Sequence, residues 1–181
     1  MPTASWKKIS SREVAANFRF RVLEDDVTRP DGSRSKYYYL RTSPGVAVIA
    51  YQAGKIYLVN QYRYVLQQRM WELPCGKAES SNYLAQAKKE LKEETGISAA
   101  RWNYVGSFHP SVGGSTSVGK VFLARGLSFG QPEREAGESD MYVKGFSLPA
   151  VDRLIARGKI TDGWLMAALA LFKLKFKRLL Q

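Results

Sequence analysis

The chain has 181 residues, 45% of them hydrophobic, and it contains one cysteine, Cys75. This length suits one compact domain, with or without an N-terminal appendage. One cysteine excludes an internal disulfide, no signal-peptide pattern opens the chain, and the longest apolar stretches, residues 46–50 and 163–172, are too short for a membrane helix. We therefore expect a soluble, cytoplasmic protein that has no membrane partner.

The chain is strongly basic, with 28 lysines and arginines and a net charge of +12. A basic surface concentrates polyanions, so the charge alone is compatible with nucleic acid, a membrane surface or a small anionic ligand. The densest basic group lies at residues 173–178, near the end of a predicted helix, where cations oppose the helix dipole. This location favours a structural role for that group.

The first part of the chain predicts two β-hairpins. Residues 18–27 and 36–41 suit extended strands, and residues 30–32, Pro-Asp-Gly, supply turn chemistry between them. The apolar residues 46–50 and 55–59 then predict two buried strands.

The second part predicts a helix, further strands and two closing helices. The first helix covers residues 83–95, with Ser80 or Ser81 as its N-cap and Gly96 as its C-terminal stop. The remaining predicted elements are strands at 102–108, 121–124 and 141–146 and helices at 149–156 and 162–179.

Three glutamates, Glu90, Glu93 and Glu94, share one face of the predicted helix 83–95. Their charges repel one another, and the negative end of the helix dipole lies close by. A divalent cation such as Mg²⁺ would relieve this repulsion, because it prefers oxygen ligands and commonly links carboxylates to substrate phosphates. These residues alone leave open an alternative, a solvated acidic helix end balanced by neighbouring lysines.

The sequence around these glutamates resembles the Nudix box, G-x5-E-x7-R-E-U-x-E-E-x-G-U, in which U is aliphatic. Residues 89–97, KELKEETGI, match its second half except at Lys89, which replaces arginine. The segment between Gly76 and Lys89 is one residue short, and Ser81 stands where the early glutamate belongs. Because the arginine and that glutamate brace the loop in the family, the resemblance predicts a weaker brace here.

The resemblance implies a hydrolase that depends on Mg²⁺ or Mn²⁺. Its implied metal ligands are Glu90 and Glu94, with Glu93 as a further ligand and the backbone carbonyl of Cys75. Hydrolysis also needs a base to activate water, and the resemblance places that base in the acidic loop before the penultimate strand. Glu138 is our choice for the base, and the other acids of this loop are Glu133, Glu135 and Asp140.

Motifs outside the box resemble the ADP-ribose and nucleoside diphosphate sugar pyrophosphatases. They are Pro-Asp-Gly at 30–32, Gly-Val-Ala-Val at 45–48, Gln-Tyr-Arg at 61–63 and Glu-Leu-Pro at 72–74. The resemblance implies that Arg63 contacts the diphosphate and that Glu72 contacts a ribose or base. The alternative for these two residues is a structural ion pair with each other or with neighbouring strands. The loop at 111–114 differs from the subgroup pattern at Val112, which leaves other substrates such as GDP-mannose open.

The resemblance also implies an α+β fold: an α/β/α sandwich with a mixed sheet between helices and an N-terminal antiparallel hairpin. It divides the chain into residues 1–44, a β-strand extension for dimerisation, and residues 45–181, the Nudix domain. The implied partners are a nucleoside diphosphate sugar and a second copy of the chain. The alternative function is a Nudix-fold module that binds nucleotide or RNA without efficient turnover.

Overall fold

The computed structural model describes residues 5–134 and 136–179. The chain separates into two units. One unit contains the residues up to Pro44 together with His109–Val118, and the other contains Gly45–Phe108 and the residues from Gly119 onward. Glu135, one of the acidic candidates for the base, lies outside the described residues.

The first unit contains an antiparallel sheet of three strands, β1 (Lys7–Ala16), β2 (Arg21–Thr28) and β3 (Arg34–Arg41), in that order. Strands β2 and β3 form the predicted hairpin. However, β2 begins at Arg21 and not at residue 18, because the Asn17 carboxamide accepts the backbone N–H groups of Arg19 and Phe20 in a turn, at 2.8 and 2.9 Å.

Strand β1 was not predicted, because its sequence, KKISSREVAA, has no apolar alternation and every residue is exposed. Polar side chains pair it with β2 instead. The guanidinium of Arg12 donates to both carboxylate oxygens of the buried Glu24, at 2.8 and 2.7 Å, and Lys36 and Tyr38 of β3 contact the same carboxylate. These partners hold the pKa of Glu24 well below its ordinary value, with Arg12 as the largest cause.

The second unit contains a seven-stranded mixed sheet with the order β10-β5-β4-β9-β8, in which β6 pairs with β5 and β7 pairs with β4. Strands β4 and β9 are parallel, and all other pairs in this sheet are antiparallel. The strands are β4 (Gly45–Gln52), β5 (Lys55–Arg63), β6 (Gln68–Glu72), β7 (Cys75–Lys77), β8 (Ile97–Phe108), β9 (Gly119–Phe129) and β10 (Tyr142–Ser147).

Helices cover both faces of this sheet: α1 (Tyr83–Thr95), α2 (Leu148–Ala156) and α3 (Gly163–Lys175). Alternate residues of β4 belong to two separate cores, since the side chains of a strand alternate between its faces. Val46 and Val48 pack in a core with α1, and Ala47 and Ile49 pack in a core with α3. The predicted sandwich of helices around a mixed sheet is therefore confirmed. No helix in the described part of the chain is long and apolar enough to cross a membrane.

The helix bounds agree with the prediction for α1, but two details differ. The N-cap of α1 is Asn82, and not Ser80 or Ser81, because the Asn82 carboxamide accepts the Ala85 N–H at 3.1 Å. Helix α3 ends at Lys175, and not at residue 179, and a short 3-10 turn, Lys177–Leu179, follows it. Gly96 ends α1 as predicted, in the left-handed conformation with a φ of 71°.

Candidate active site

Glu90 lies against the backbone of β7. The pairing of β7 with β4 brings Gly76 beside α1, and a Cβ atom on Gly76 would stand 1.9 Å from Glu90 Oε1. Only glycine permits this close approach of a carboxylate to the strand. Gln86, one turn earlier on α1, donates from Nε2 to the same oxygen at 2.8 Å. Glu90, in the second half of the box, therefore lies against Gly76, the glycine that begins the box.

Glu94 is the most buried acid of α1, with 2% of its surface exposed. Its Oε2 accepts the backbone N–H of Cys75 at 3.2 Å. Burial is the largest cause that raises its pKa, to about 9, followed by the negative charges of Glu138 and Glu90. Within the described residues, no lysine, arginine or histidine forms an ion pair with this carboxylate. Glu94 is therefore a buried acid whose charged form needs a cation.

The acidic loop separates into acids with different surroundings. Glu133 forms an ion pair with Lys92 at 2.8 Å, and Asp140 forms one with Arg69 at 2.6 Å. The charge of Glu138 helps to raise the pKa values of both Glu90 and Glu94. Glu138 is thus electrostatically coupled to the box carboxylates.

The donor atoms of this region fit a hard divalent cation, because they are carboxylate and backbone oxygens. Glu93, half-buried on the same helix, also helps to raise the pKa of Glu90. Within the described residues, no three acidic, histidine or cysteine side chains converge closely enough to enclose an ion as they stand. Glu90 instead accepts a hydrogen bond from Gln86, and Glu94 accepts one from the Cys75 amide.

Cys75 is suited to contribute backbone atoms and not its thiol. Burial, followed by the charge of Glu94, raises the thiol pKa well above its ordinary value, so the sulfur stays protonated. A protonated thiol is a poor nucleophile and a poor metal ligand. That the backbone carbonyl of Cys75 binds the metal ion stays a prediction.

The raised pKa of Glu94 predicts how the stability of the metal-free protein depends on pH. An unfolded glutamate titrates near 4.5, whereas Glu94 in the fold titrates near 9, so the folded state retains a proton that the unfolded state has released. The contribution of Glu94 to the stability of the fold is then most favourable below about pH 4.5, and it is lost as pH rises through about 9. In a chelator, we expect the Tm to fall by about 5 °C or more across this window.

Thermal melts of the wild type and Glu94→Gln in the chelator test this expectation. The Tm of the Glu94→Gln variant should depend much less on pH, because the titrating carboxyl group is gone. Addition of Mg²⁺ should restore the wild-type Tm at the alkaline end, since the ion stabilises the charged form. A wild-type Tm that rises steadily with pH in the chelator would contradict the assignment of Glu94 as a buried, uncompensated acid.

Arg63 and Glu72 pair with each other, as the structural alternative expected. Arg63 Nε donates to Glu72 Oε1 at 2.7 Å, and Nη2 contacts the second oxygen. This pairing is the largest cause that raises the pKa of Arg63, so the guanidinium stays charged. Glu72 is buried, whereas 39% of the Arg63 side chain is exposed. The arginine can therefore still meet an anion with its exposed part.

Lys89, which occupies the arginine position of the box, forms an ion pair with Glu79. Lys89 Nζ lies 3.3 Å from Glu79 Oε1, and both side chains are largely exposed. Glu79 is two residues before Ser81, the position to which the family pattern assigns the acid. Exposed ion pairs of this kind stabilise little, so this brace is weaker than a buried one.

Several residues around the site were not predicted from the sequence. Gln86 holds Glu90, and Asp162, predicted only as the start of a helix, caps α3, is partly buried and interacts electrostatically with Glu72 and Arg63. Burial, together with the charge of Glu72, raises the pKa of Asp162. Arg69 contacts the acidic loop. No motif marks these side chains, because their roles arise from contacts between distant segments.

Comparison with known proteins agrees with this architecture. Residues 41–161 match the family described as the NUDIX domain, and residues 6–40 match the nucleoside diphosphate sugar hydrolase N-terminal domain. A solved structure described as an ADP compounds hydrolase shares the fold, with a TM-score of 0.83 and 18% identity, over 96% of this chain and 95% of that one.

Three characterised relatives are similar in sequence. The ADP-ribose pyrophosphatase of Mycobacterium tuberculosis is 30% identical over 90% of this chain and 80% of its own length. The ADP-ribose pyrophosphatase of Bacillus subtilis is 30% identical over 97% and 96%, and the methanol dehydrogenase activator of Bacillus methanolicus is 34% identical over 76% and 75%. With the family match across most of the chain, these similarities establish that the chain belongs to the Nudix hydrolases.

Proposed function

We propose that the protein hydrolyses the diphosphate linkage of a nucleoside diphosphate sugar, either ADP-ribose or a similar compound such as GDP-mannose. The products are a nucleoside monophosphate and a sugar phosphate. The observation that carries the proposal is the coupling of Glu90, Glu94 and Glu138 beside the backbone of Gly76 and Cys75. One buried and two partly buried carboxylates with like charges favour the binding of a cation, and a cation held there can bind the diphosphate of a substrate.

Each residue of the site has a separate role in this reaction. Glu90 and Glu94, with Glu93 and the Cys75 carbonyl, hold Mg²⁺ or Mn²⁺, which when bound neutralises charge on the diphosphate. Glu138 accepts a proton from water as the water oxygen bonds to phosphorus, and the bridging P–O bond breaks. Arg63 binds the diphosphate through its exposed part, while Glu72 fixes its orientation and contacts a ribose or base.

A second candidate function is a module that binds nucleotide or RNA with little turnover. Two observations favour it: the net charge of +12 and the weak, exposed Lys89–Glu79 brace. In this alternative, the basic surface holds a polyanion and the box carboxylates contribute nothing to binding.

A substrate panel separates the two functions. The wild type and Glu94→Gln are incubated with several nucleoside diphosphate sugars, with Mg²⁺, Mn²⁺ or a chelator, and product formation is measured. The proposed enzyme cleaves at least one sugar when the metal is present. No turnover of any compound, together with nucleotide or RNA binding that Glu94→Gln leaves unchanged, would favour the binding module.

We also propose that the protein is a homodimer that pairs through its N-terminal strands. Apolar side chains are exposed on β1 and beside it, including Trp6, Ile9, Val14 and Phe18. Exposed apolar surface of this kind marks contact sites between proteins. Light scattering should give a mass twice the 20.4 kDa of one chain, and the mass of a single chain would contradict the proposal. The cytoplasmic location stays a prediction.

A further inference from the structure

Arg69 connects strand β6 to the turn that follows Glu138. Its Nε donates to Asn60 Oδ1 at 2.6 Å, and its Nη2 donates to the carbonyl oxygens of Asn60 and Asp140 at 2.9 and 2.8 Å. Its Nη1 donates to Asp140 Oδ2 at 2.6 Å. The guanidinium also lies 5.3 Å from the centre of the Tyr142 ring. One planar fork thus binds the sheet and the loop at the same time.

Arg69 contacts a short turn, residues 138–141, that is closed by a backbone hydrogen bond. The backbone N–H of Met141 donates to the carbonyl of Glu138 at 2.9 Å, and the Met141 side chain is buried. Asp140 lies inside this turn, so a contact that fixes Asp140 also fixes the backbone from which Glu138 projects.

The other end of the loop is attached to α1. The Glu133 N–H donates to the carbonyl of Glu93 at 2.9 Å, and Arg134 Nε donates to the carbonyl of Glu94 at 2.9 Å. These contacts satisfy carbonyls in the last turn of α1, and the positive charge of Arg134 suits the negative helix end. Glu138 therefore lies between a segment bonded to α1, at Glu133 and Arg134, and a turn bonded to Arg69 of β6.

We propose that Arg69 is a positioning residue that holds the turn of Glu138, so that its carboxylate faces Glu90 and Glu94. This inference rests on the function proposed above, in which Glu138 activates water. The Arg69–Asp140 ion pair is partly exposed, with 39% and 47% of the two side chains accessible. Such pairs stabilise a fold little. Loss of Arg69 should therefore displace the base without unfolding the protein.

Steady-state kinetics of Arg69→Ala test this role, because displacement of a base affects chemistry more than substrate binding. We expect kcat to fall by about 30-fold and KM to change by less than about threefold. Lys173→Ala is the matched control: it removes the Lys173–Asp152 pair, whose side chains are exposed to a similar degree, 36% and 50%, and should keep wild-type kcat. Arg69→Lys keeps the charge but lacks the fork, so it should resemble Arg69→Ala.

A double-mutant cycle shows whether Arg69 acts through Glu138. In a Glu138→Gln background, Arg69→Ala should cause no further loss of kcat, because the group that it positions is already gone. A wild-type kcat in Arg69→Ala, or the full loss repeated in the Glu138→Gln background, would overturn the inference.

Amide hydrogen exchange provides a readout that does not depend on turnover. Arg69→Ala should accelerate exchange in residues 136–142 and leave the rest of the chain unchanged, whereas Lys173→Ala should not affect that segment. A wild type that cleaves no substrate would refute the proposed function, and the exchange data would still decide whether Arg69 holds the turn. Unchanged exchange in Arg69→Ala would overturn the inference on its own.

Discussion

Glu94→Gln is expected to lower kcat/KM for the diphosphate substrate by about 10³-fold or more. Glutamine has nearly the same shape and can still accept the N–H of Cys75, but it brings no negative charge to the cation. Asp152→Asn makes the same chemical change on the surface of α2, and it should retain wild-type activity.

The same substitution should make the metal-free protein more stable. At a pH above about 4.5, folding must either return a proton to the buried Glu94 carboxylate or keep its charge near two other acids, and both cost folding free energy. Glutamine removes that cost. A variant that is more stable in chelator and yet inactive with Mg²⁺ would show that the cluster serves function and not stability. An active Glu94→Gln with wild-type metal dependence would contradict its role as a ligand.

Glu138→Gln is expected to lower kcat by about 10²–10⁴-fold, the range that loss of a general base produces. Binding of Mn²⁺, measured by calorimetry, should change by less than about threefold, because Glu138 acts on water and is not assigned as a ligand. This separation of turnover from metal affinity distinguishes Glu138 from Glu90 and Glu94, whose substitution should weaken both.

Glu133→Gln is the matched control for this variant, because it lies in the same loop. Glu133 pairs with Lys92 on the surface, so its substitution should change kcat by less than about twofold. An inactive Glu133→Gln together with an active Glu138→Gln would move the base to Glu133 and contradict the assignment made here.

The part of the site that could be predicted from the sequence is local in the chain. Glu90 and Glu94 are four residues apart, and Gly96 follows them, so helical geometry alone places both acids on one face and ends the helix there. The buried strand β4 was similarly evident from its unbroken apolar run. Each of these features depends on residues within a few positions of one another.

The features that escaped prediction depend on contacts between distant segments. Strand β1 is stabilised by polar pairs such as Arg12 with Glu24, which carry no hydrophobic periodicity. Arg69 reaches Asp140, 71 residues later in the chain, and Lys89 pairs with Glu79, two residues before the position to which the family pattern assigns the acid. Side-chain partners of this kind follow from the fold and have no spacing rule.

The most direct measurement of the central claim is phosphorus NMR of the reaction with the nucleoside diphosphate sugar that the panel identifies. With Mg²⁺ or Mn²⁺, we predict that the diphosphate signals are replaced by two phosphomonoester signals, from the nucleoside monophosphate and the sugar phosphate, and that Glu94→Gln leaves the diphosphate intact. A nucleoside diphosphate as product, which would mean cleavage of the bond between the sugar and the diphosphate, or no cleavage of any compound in the panel, would contradict the account.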